Sequence, residues 1–233
     1  MKIKYNQTTE SLDTIASEEI RIIQSKSGYR FSIDSLLLAN FINDNLKRNQ
    51  TELLELGAGS GVISIILAKK NKKLKISAIE IQKNLSNLLS RNIENNSLNC
   101  QIIAIASDIS ESIKAIKGKQ FDIIFSNPPF YKSDSGRINP TDEKSIARHE
   151  IKGNLKIFLK HGSKYLKNEG SFYFIHSAPR LFEIIQTLSE FNFCLNKIQF
   201  VHGSPEQNSK LLLAEAVRGK KRQLNLLPPV FAK

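Results

Sequence analysis

The sequence predicts an α/β fold: a doubly wound, mostly parallel sheet of seven strands with an antiparallel last strand, preceded by a short N-terminal hairpin and helix. Three observations carry this expectation. Apolar runs of strand length alternate with stretches of helix length from about residue 51 almost to the end, the pattern of successive βα units. The first run, Leu53-Leu54-Glu55-Leu56, breaks into Gly57-Ala58-Gly59-Ser60-Gly61 and resumes as Val62-Ile63-Ser64-Ile65-Ile66-Leu67, which reads as buried strand, glycine turn and helix. Finally, only His202 to Lys210 separates the last two runs. That is too short for a helical crossover, so those strands pair antiparallel.

In chain order, residues 1 to about 17 are polar and lack periodicity, as expected of an arm. Residues 19–24 alternate like a strand, Ser27-Gly28 marks a turn, and Tyr29-Arg30-Phe31 alternates again, so a hairpin is expected here. Ser32 then caps a helix running through Ile42, with Asp34 in its first turn. After Lys47-Arg48-Asn49-Gln50 come strand 51–56, helix 61–69, strand 74–80, helix 83–95, strand 101–106 and a short helix near 110–116. Strand 120–126 ends in Asn127-Pro128-Pro129-Phe130, and a polar loop follows to about residue 150. Helix 153–166, strand 171–176, helix 179–190 and strands 193–201 and 211–217 complete the set. Residues 1–48 are thus an accessory segment and 49–233 the main domain.

A chain of 233 residues is long enough for one large domain with a substantial core. Its 34 Lys and Arg against 22 Asp and Glu give a net charge of +12. Such an excess suits a polyanion such as nucleic acid, or reflects a generally basic proteome. Cys100 and Cys194 have no partner at metal-ligand spacing and read as core residues of a reduced, cytoplasmic protein. The N-terminus lacks the apolar stretch of a signal peptide, and no run of about 18 apolar residues could cross a membrane. The four histidines share no common spacing. A cytoplasmic monomer without a metal is expected.

Ligands of open α/β sheets bind beyond the carboxyl ends of the strands, where neighbouring connections diverge. Four predicted strand ends meet there. Gly57 and Gly59 end the first, but G-x-G-x-G is not the dinucleotide fingerprint, whose third glycine falls on Val62, so a nicotinamide cofactor is disfavoured. Glu80 ends the second, at the distance where a carboxylate meets ribose hydroxyls. Asp108 follows the third, placed to accept from an adenine amino group or to cap a helix from Ile109. Asn127 ends the fourth. Two prolines cannot extend a ladder, so the chain must leave the sheet with its carbonyls free. The Asn127 side-chain oxygen and the Pro128 carbonyl can then each accept an N–H of a planar amine, while Phe130 stacks on its ring.

Taken together, Glu55-Leu56-Gly57-Ala58-Gly59-Ser60-Gly61, Glu80, Ser107-Asp108 and Asn127-Pro128-Pro129-Phe130 resemble the successive motifs of class I S-adenosylmethionine-dependent methyltransferases acting on planar nitrogen. Residues 28–39, Ala147-Arg148-His149-Glu150, Ala178-Pro179-Arg180-Leu181, the stretch Glu215 to Gly219 and Leu227-Pro228-Pro229 narrow the likeness. They are similar to the bacterial adenine-N6 methyltransferases that modify a valine tRNA beside its anticodon. The resemblance implies a Rossmann-like fold, S-adenosylmethionine as cofactor, tRNA as partner and an adenine N6 amine as acceptor.

It also implies roles for single residues. Glu55 with Gly57, Ala58 and Gly59 holds the methionine end of the cofactor, Glu80 its ribose and Asp108 its adenine. Asn127 and Pro128 hold the target amine and Phe130 stacks on the base, with Pro129, Tyr131 and Arg148 as further substrate contacts. The same Asn-Pro-Pro-aromatic motif serves enzymes acting on glutamine N5 and guanine N2, which are the alternative acceptors. The tail Lys220-Lys221-Arg222-Gln223 departs from the family's glycine-rich pattern. Residues 131–150 read as a segment that orders over RNA or as a solvated loop. Lys69, Lys70, Lys72, Lys73, Lys75, Arg218, Lys220, Lys221 and Arg222 are phosphate contacts or a solvated face.

Overall fold

A computed structural model describes residues 4–15, 19–27, 30–111, 114–128, 155–219 and 223–232. Ahead of the main sheet lie β1 (Glu10–Ile15), β2 (Ile20–Ser25) and α1 (Ile33–Asn45). Then follow β3 (Glu52–Leu56), α2 (Val62–Lys70), β4 (Lys75–Glu80), α3 (Lys83–Asn95), β5 (Ile102–Ala106) and β6 (Phe121–Ser126). The C-terminal half supplies α4 (Leu155–Gly162), β7 (Leu166–Ser177), α5 (Leu181–Glu190), β8 (Phe193–His202), β9 (Leu211–Arg218) and β10 (Asn225–Phe231). Eight strands form one sheet in the order β10-β8-β9-β7-β6-β3-β4-β5, and β1 and β2 form a separate antiparallel pair.

The apolar runs are continuous because both faces of the sheet are covered. Successive residues point to opposite faces: Leu53, Ile123 and Tyr173 meet Phe41 of α1, Ile65 of α2 and Leu89 of α3. Their neighbours Leu54, Ile124 and Phe172 meet Phe158 of α4 and Ile184 and Leu188 of α5. β3 pairs in parallel with β4 on one side and β6 on the other. The chain therefore leaves β3 towards β5 and returns on its other side, which creates a switch point above the carboxyl ends of β3 and β6. Asp122 of β6 fixes the opposite end of this pair by accepting the amides of Thr51 and Glu52, each at 3.0 Å.

Several expectations are corrected. The sheet has eight strands, not seven: β9 is the antiparallel strand, as expected, but β10 adds itself in parallel to β8. Pro228 and Pro229 hid it, yet an edge strand tolerates residues without an N–H, and the register shifts between Leu227 and Val230. The hairpin runs the other way from the one expected. β2 pairs back onto β1, so the polar stretch 10–15 is a strand and not an arm, while Gly28 and Tyr29 of the expected turn and second strand lie outside the described residues. Arg91 of α3 holds it with a two-pronged contact to Glu10, at 2.6 and 2.9 Å. Helix 153–166 stops at Gly162, and near 110–116 the described residues form a 3₁₀ turn at Lys114–Ile116. Cys100, expected in the core, is exposed.

Candidate active site

β3 ends in a turn with left-handed backbone at Gly57, Gly59 and Gly61, whose φ angles are 71°, 57° and 88°. At Gly61 glycine is required twice over, since a Cβ there would sit 2.4 Å from Leu89 Cδ1 of α3. The loop is fastened to β4. Ala58 donates its amide to the Ile79 carbonyl at 2.8 Å. Gly59 donates to Glu80 Oε2 at 2.8 Å, and Gln82 to Glu80 Oε1 at 2.8 Å. Glu80 is buried, and both its oxygens are engaged by backbone amides. Burial raises the Glu80 carboxyl above the ordinary range, opposed by the amides of Gln82 and Gly59.

Glu55, one residue before the end of β3, is buried and accepts the hydroxyl of Ser64 from α2. Burial pushes its carboxyl up to about 8, against the Ser64 hydrogen bond and with a further push from the charge of Glu80. A cationic group bound beside it would offset that cost. Glu55, Gly57, Gly59, Ser60 and Asn127 line one small cleft of about 30 Å³. Asn127 arrives there because the Ser126 hydroxyl donates to the Leu56 carbonyl at 2.8 Å, tying the end of β6 to the end of β3. Pro128 is buried behind it.

Along the carboxyl ends of β4 and β5 runs a larger groove of about 500 Å³, lined by Ile81, Lys83, Ser107 and Asp108 among others. Asp108 Oδ1 accepts the Ser110 amide at 2.7 Å, so this carboxylate does cap the following turn while facing the groove. Pro129, Phe130, Tyr131 and Arg148 lie outside the described residues. Of the candidate phosphate contacts, Lys69, Lys70 and Lys75 fall at the opposite edge of the sheet, because α2 runs back from the glycine loop to the start of β4. Arg218 is also there, donating to the Ser163 carbonyl at 2.6 Å. Lys220, Lys221 and Arg222 lie outside the described residues.

Beyond Ser60, Val62 and Ile63 of the glycine turn and α2, the cleft is lined by two residues from the segment ahead of the sheet that were not expected there, Phe31 and Ser35. Their only signal was membership of the stretch 28–39 that carries the family likeness. The chemistry of the site suits a cationic nucleoside. Two buried carboxylates adjoin the glycine loop, Glu55 in the cleft lining and Glu80 through the Gly59 amide. Among the described residues no three His, Cys, Asp or Glu side chains cluster to hold a metal, and no helix is long and apolar enough to cross a membrane.

The methyltransferase small domain family model matches residues 27–201. A tRNA1(Val) (adenine(37)-N6)-methyltransferase of Porphyromonas gingivalis is 25% identical over 206 residues, covering 87% of this chain and 80% of the relative. One of the same name from Dyadobacter fermentans is 31% identical over 120 residues, 52% of this chain and 48% of the relative. Among solved structures, a predicted O-methyltransferase from Agrobacterium tumefaciens superposes with a TM-score of 0.64 at 19% identity, over 85% of this chain and 86% of the other. A T. thermophilus 16S rRNA guanine-N2 methyltransferase, solved with AdoMet and guanosine, gives 0.63 at 20% identity, over 90% and 50%. These two structures show the same fold.

Proposed function

The chain belongs to the methyltransferase small domain family, and from that premise we propose that it transfers a methyl group from S-adenosylmethionine to the N6 amine of an adenine in tRNA, beside the anticodon. The observation that carries this reading is that Asn127, at the end of β6, lines the same cleft as Glu55 and the glycine loop. A group that can hold an amine and a site suited to a methyl donor therefore share one space.

S-adenosylmethionine supplies a methyl group on a cationic sulfur. Glu80 meets the ribose hydroxyls, Asp108 accepts from the adenine amino group, and Glu55 with the backbone of Gly57 to Gly59 receives the methionine end. An exocyclic amine is a poor nucleophile, because its lone pair is delocalised into the ring. Asn127 and the Pro128 carbonyl each accept one N–H, which draws the nitrogen towards tetrahedral geometry and turns its lone pair out of the ring plane. Phe130, next in the chain but one, stacks on the base. Positioning does most of the work, with no need to deprotonate the neutral amine.

An adenine must leave its stack to reach such a cleft, at a cost of a few kcal/mol that is least in a loop. A tRNA anticodon loop meets that condition, and the names of the relatives point to it. A cytoplasmic monomer completes the proposal. The test is transfer of label from S-adenosylmethionine to bulk tRNA of a strain lacking the protein, followed by digestion and mass mapping. N6-methyladenosine at one loop position is expected. N2-methylguanosine, or a methylated glutamine in a Gly-Gly-Gln peptide, would move the acceptor. Binding of the cofactor without transfer to any of these would overturn the reading.

A further inference from the structure

The hairpin ahead of the sheet is bound to the cofactor cleft at two points, by buried hydrogen bonds of Asn92 and by a part-buried one between Gln24 and Phe31. β2 uses one edge to pair with β1, Ile23 opposite Leu12 and Arg21 opposite Thr14. Its other edge meets no strand among the described residues. Instead Asn92 of α3 and Asn96, the residue that caps its C-terminus, stand four residues apart, and their amides take the place of a partner strand. Asn96 accepts the Arg21 amide at 3.2 Å and donates to the Arg21 carbonyl at 2.8 Å; its second proton goes to the Asn92 carbonyl of its own helix at 2.8 Å. Asn92 does the same for Ile23, accepting at 2.8 Å and donating at 3.0 Å. Its second proton goes elsewhere, to the Ser60 carbonyl in the glycine loop, at 3.0 Å.

Gln24, the next residue of β2, is buried, and its Oε1 accepts the Phe31 amide at 2.8 Å. Its Nε2 donates to Asp13 of β1, which also takes Arg30 at 2.6 Å. Ser60, Asn92, Ile23, Gln24 and Phe31 therefore form a continuous tie between two walls of the cleft. The glycine loop is held from both sides, Gly59 by Glu80 and Ser60 by Asn92.

We propose that Asn92 and Gln24 are positioning residues of the methyl-donor site, so that the N-terminal hairpin sets the width of the cofactor cleft. The inference rests on the assignment of that cleft to S-adenosylmethionine. Asn92→Asp keeps the shape and the acceptor but loses both donated bonds. Gln24→Met keeps the length and loses its grip on Phe31. Calorimetric titration with S-adenosylmethionine should show each weakened about tenfold, with kcat at saturating cofactor within about threefold of wild type. Because both act through one tie, the double variant should lose little more than either single one.

Asn96→Ala is the control. It removes an equivalent hold on β2 without touching the loop, so it should lower the Tm and leave cofactor affinity unchanged. Wild-type affinity in Gln24→Met, or an equal loss in Asn96→Ala, overturns the proposal; if Asn92→Asp does not fold, those two measurements decide it. Wild-type protein that binds no S-adenosylmethionine overturns the assignment of the cleft and this inference with it. Binding by wild type and by both variants alike overturns this inference alone.

Discussion

Gly59 donates its amide to the Glu80 carboxylate at 2.8 Å, so the loop that ends β3 is shaped by the side chain proposed to meet the ribose. One carboxylate thus preorganises the backbone and is the group proposed to meet the ligand. Glu80→Ala removes both contributions at once. Charge-assisted hydrogen bonds of this kind are each worth roughly 1.5–3 kcal/mol, so cofactor affinity should fall on the order of a hundredfold. Titration with S-adenosylhomocysteine measures it, and a change within threefold would remove the assigned role.

The buried Glu55 makes the ligand-free protein sensitive to pH in the direction opposite to most carboxylates. Its folded value of about 8 lies above the ordinary value of 4.5. Below the unfolded value both states hold the proton and nothing is lost. As pH rises from there through about 8, the unfolded chain ionises while the folded one retains its proton, so stability drops by an amount on the order of a few kcal/mol. Glu80 shifts the same way and adds to the slope. Asp122 shifts the other way: burial raises its carboxyl, but Lys167 and the amides of Glu52 and Thr51 outweigh that and leave it lowered. Its contribution is lost only in acid, outside this window. The Tm of the ligand-free protein should therefore decline from pH 5.5 to 8.5, and Glu55→Gln should flatten the curve. An unchanged slope in that variant counts against the assignment.

What the sequence displayed, and what it hid, divides along one line. The glycine loop, Glu80 and α3, expected at 83–95 and found at Lys83–Asn95, were legible because each follows from local pattern. β1 was not, because Glu10-Ser11-Leu12-Asp13-Thr14-Ile15 is held by Arg91 and by β2 rather than by its own apolar content. β10 was hidden by prolines that only an edge tolerates. Phe31 and Ser35 enter the cleft through tertiary contacts, among them the Gln24 bond to Phe31, which no spacing encodes. The lysines at 69–75 were plain as charge, but only the topology puts Lys69, Lys70 and Lys75 at the edge away from the cleft.

Gly61 should be less replaceable than Gly57 when tested by stability. Its φ of 88° strains any L residue, and an added Cβ would overlap Leu89 Cδ1 at 2.4 Å. Strain and overpacking each cost about 1–3 kcal/mol, so Gly61→Ala should lose roughly 2–6 kcal/mol in urea unfolding. Combining it with Leu89→Ala relieves the overlap but not the φ strain. The double variant should then be more stable than the sum of the two single losses predicts. Additive losses would mean that the loop moves away from α3 without cost.

Asn127→Ala separates amine holding from donor binding. The Ser126 hydroxyl bond to the Leu56 carbonyl that positions this turn is untouched by the substitution, and Glu80 and Asn92 still fasten the glycine loop. Cofactor affinity should therefore stay within a few fold of wild type. Methyl transfer should not: loss of one preorganised hydrogen-bonding group at a reacting centre costs about a hundred- to a thousandfold in kcat. Asn127→Asp keeps an acceptor in place and should recover part of the rate, because the target amine needs a lone pair there rather than the amide itself. Single-turnover transfer to tRNA at saturating S-adenosylmethionine makes the measurement. Near wild-type rates in Asn127→Ala would show that the amine is held by other groups, and the role proposed for the end of β6 would then fall.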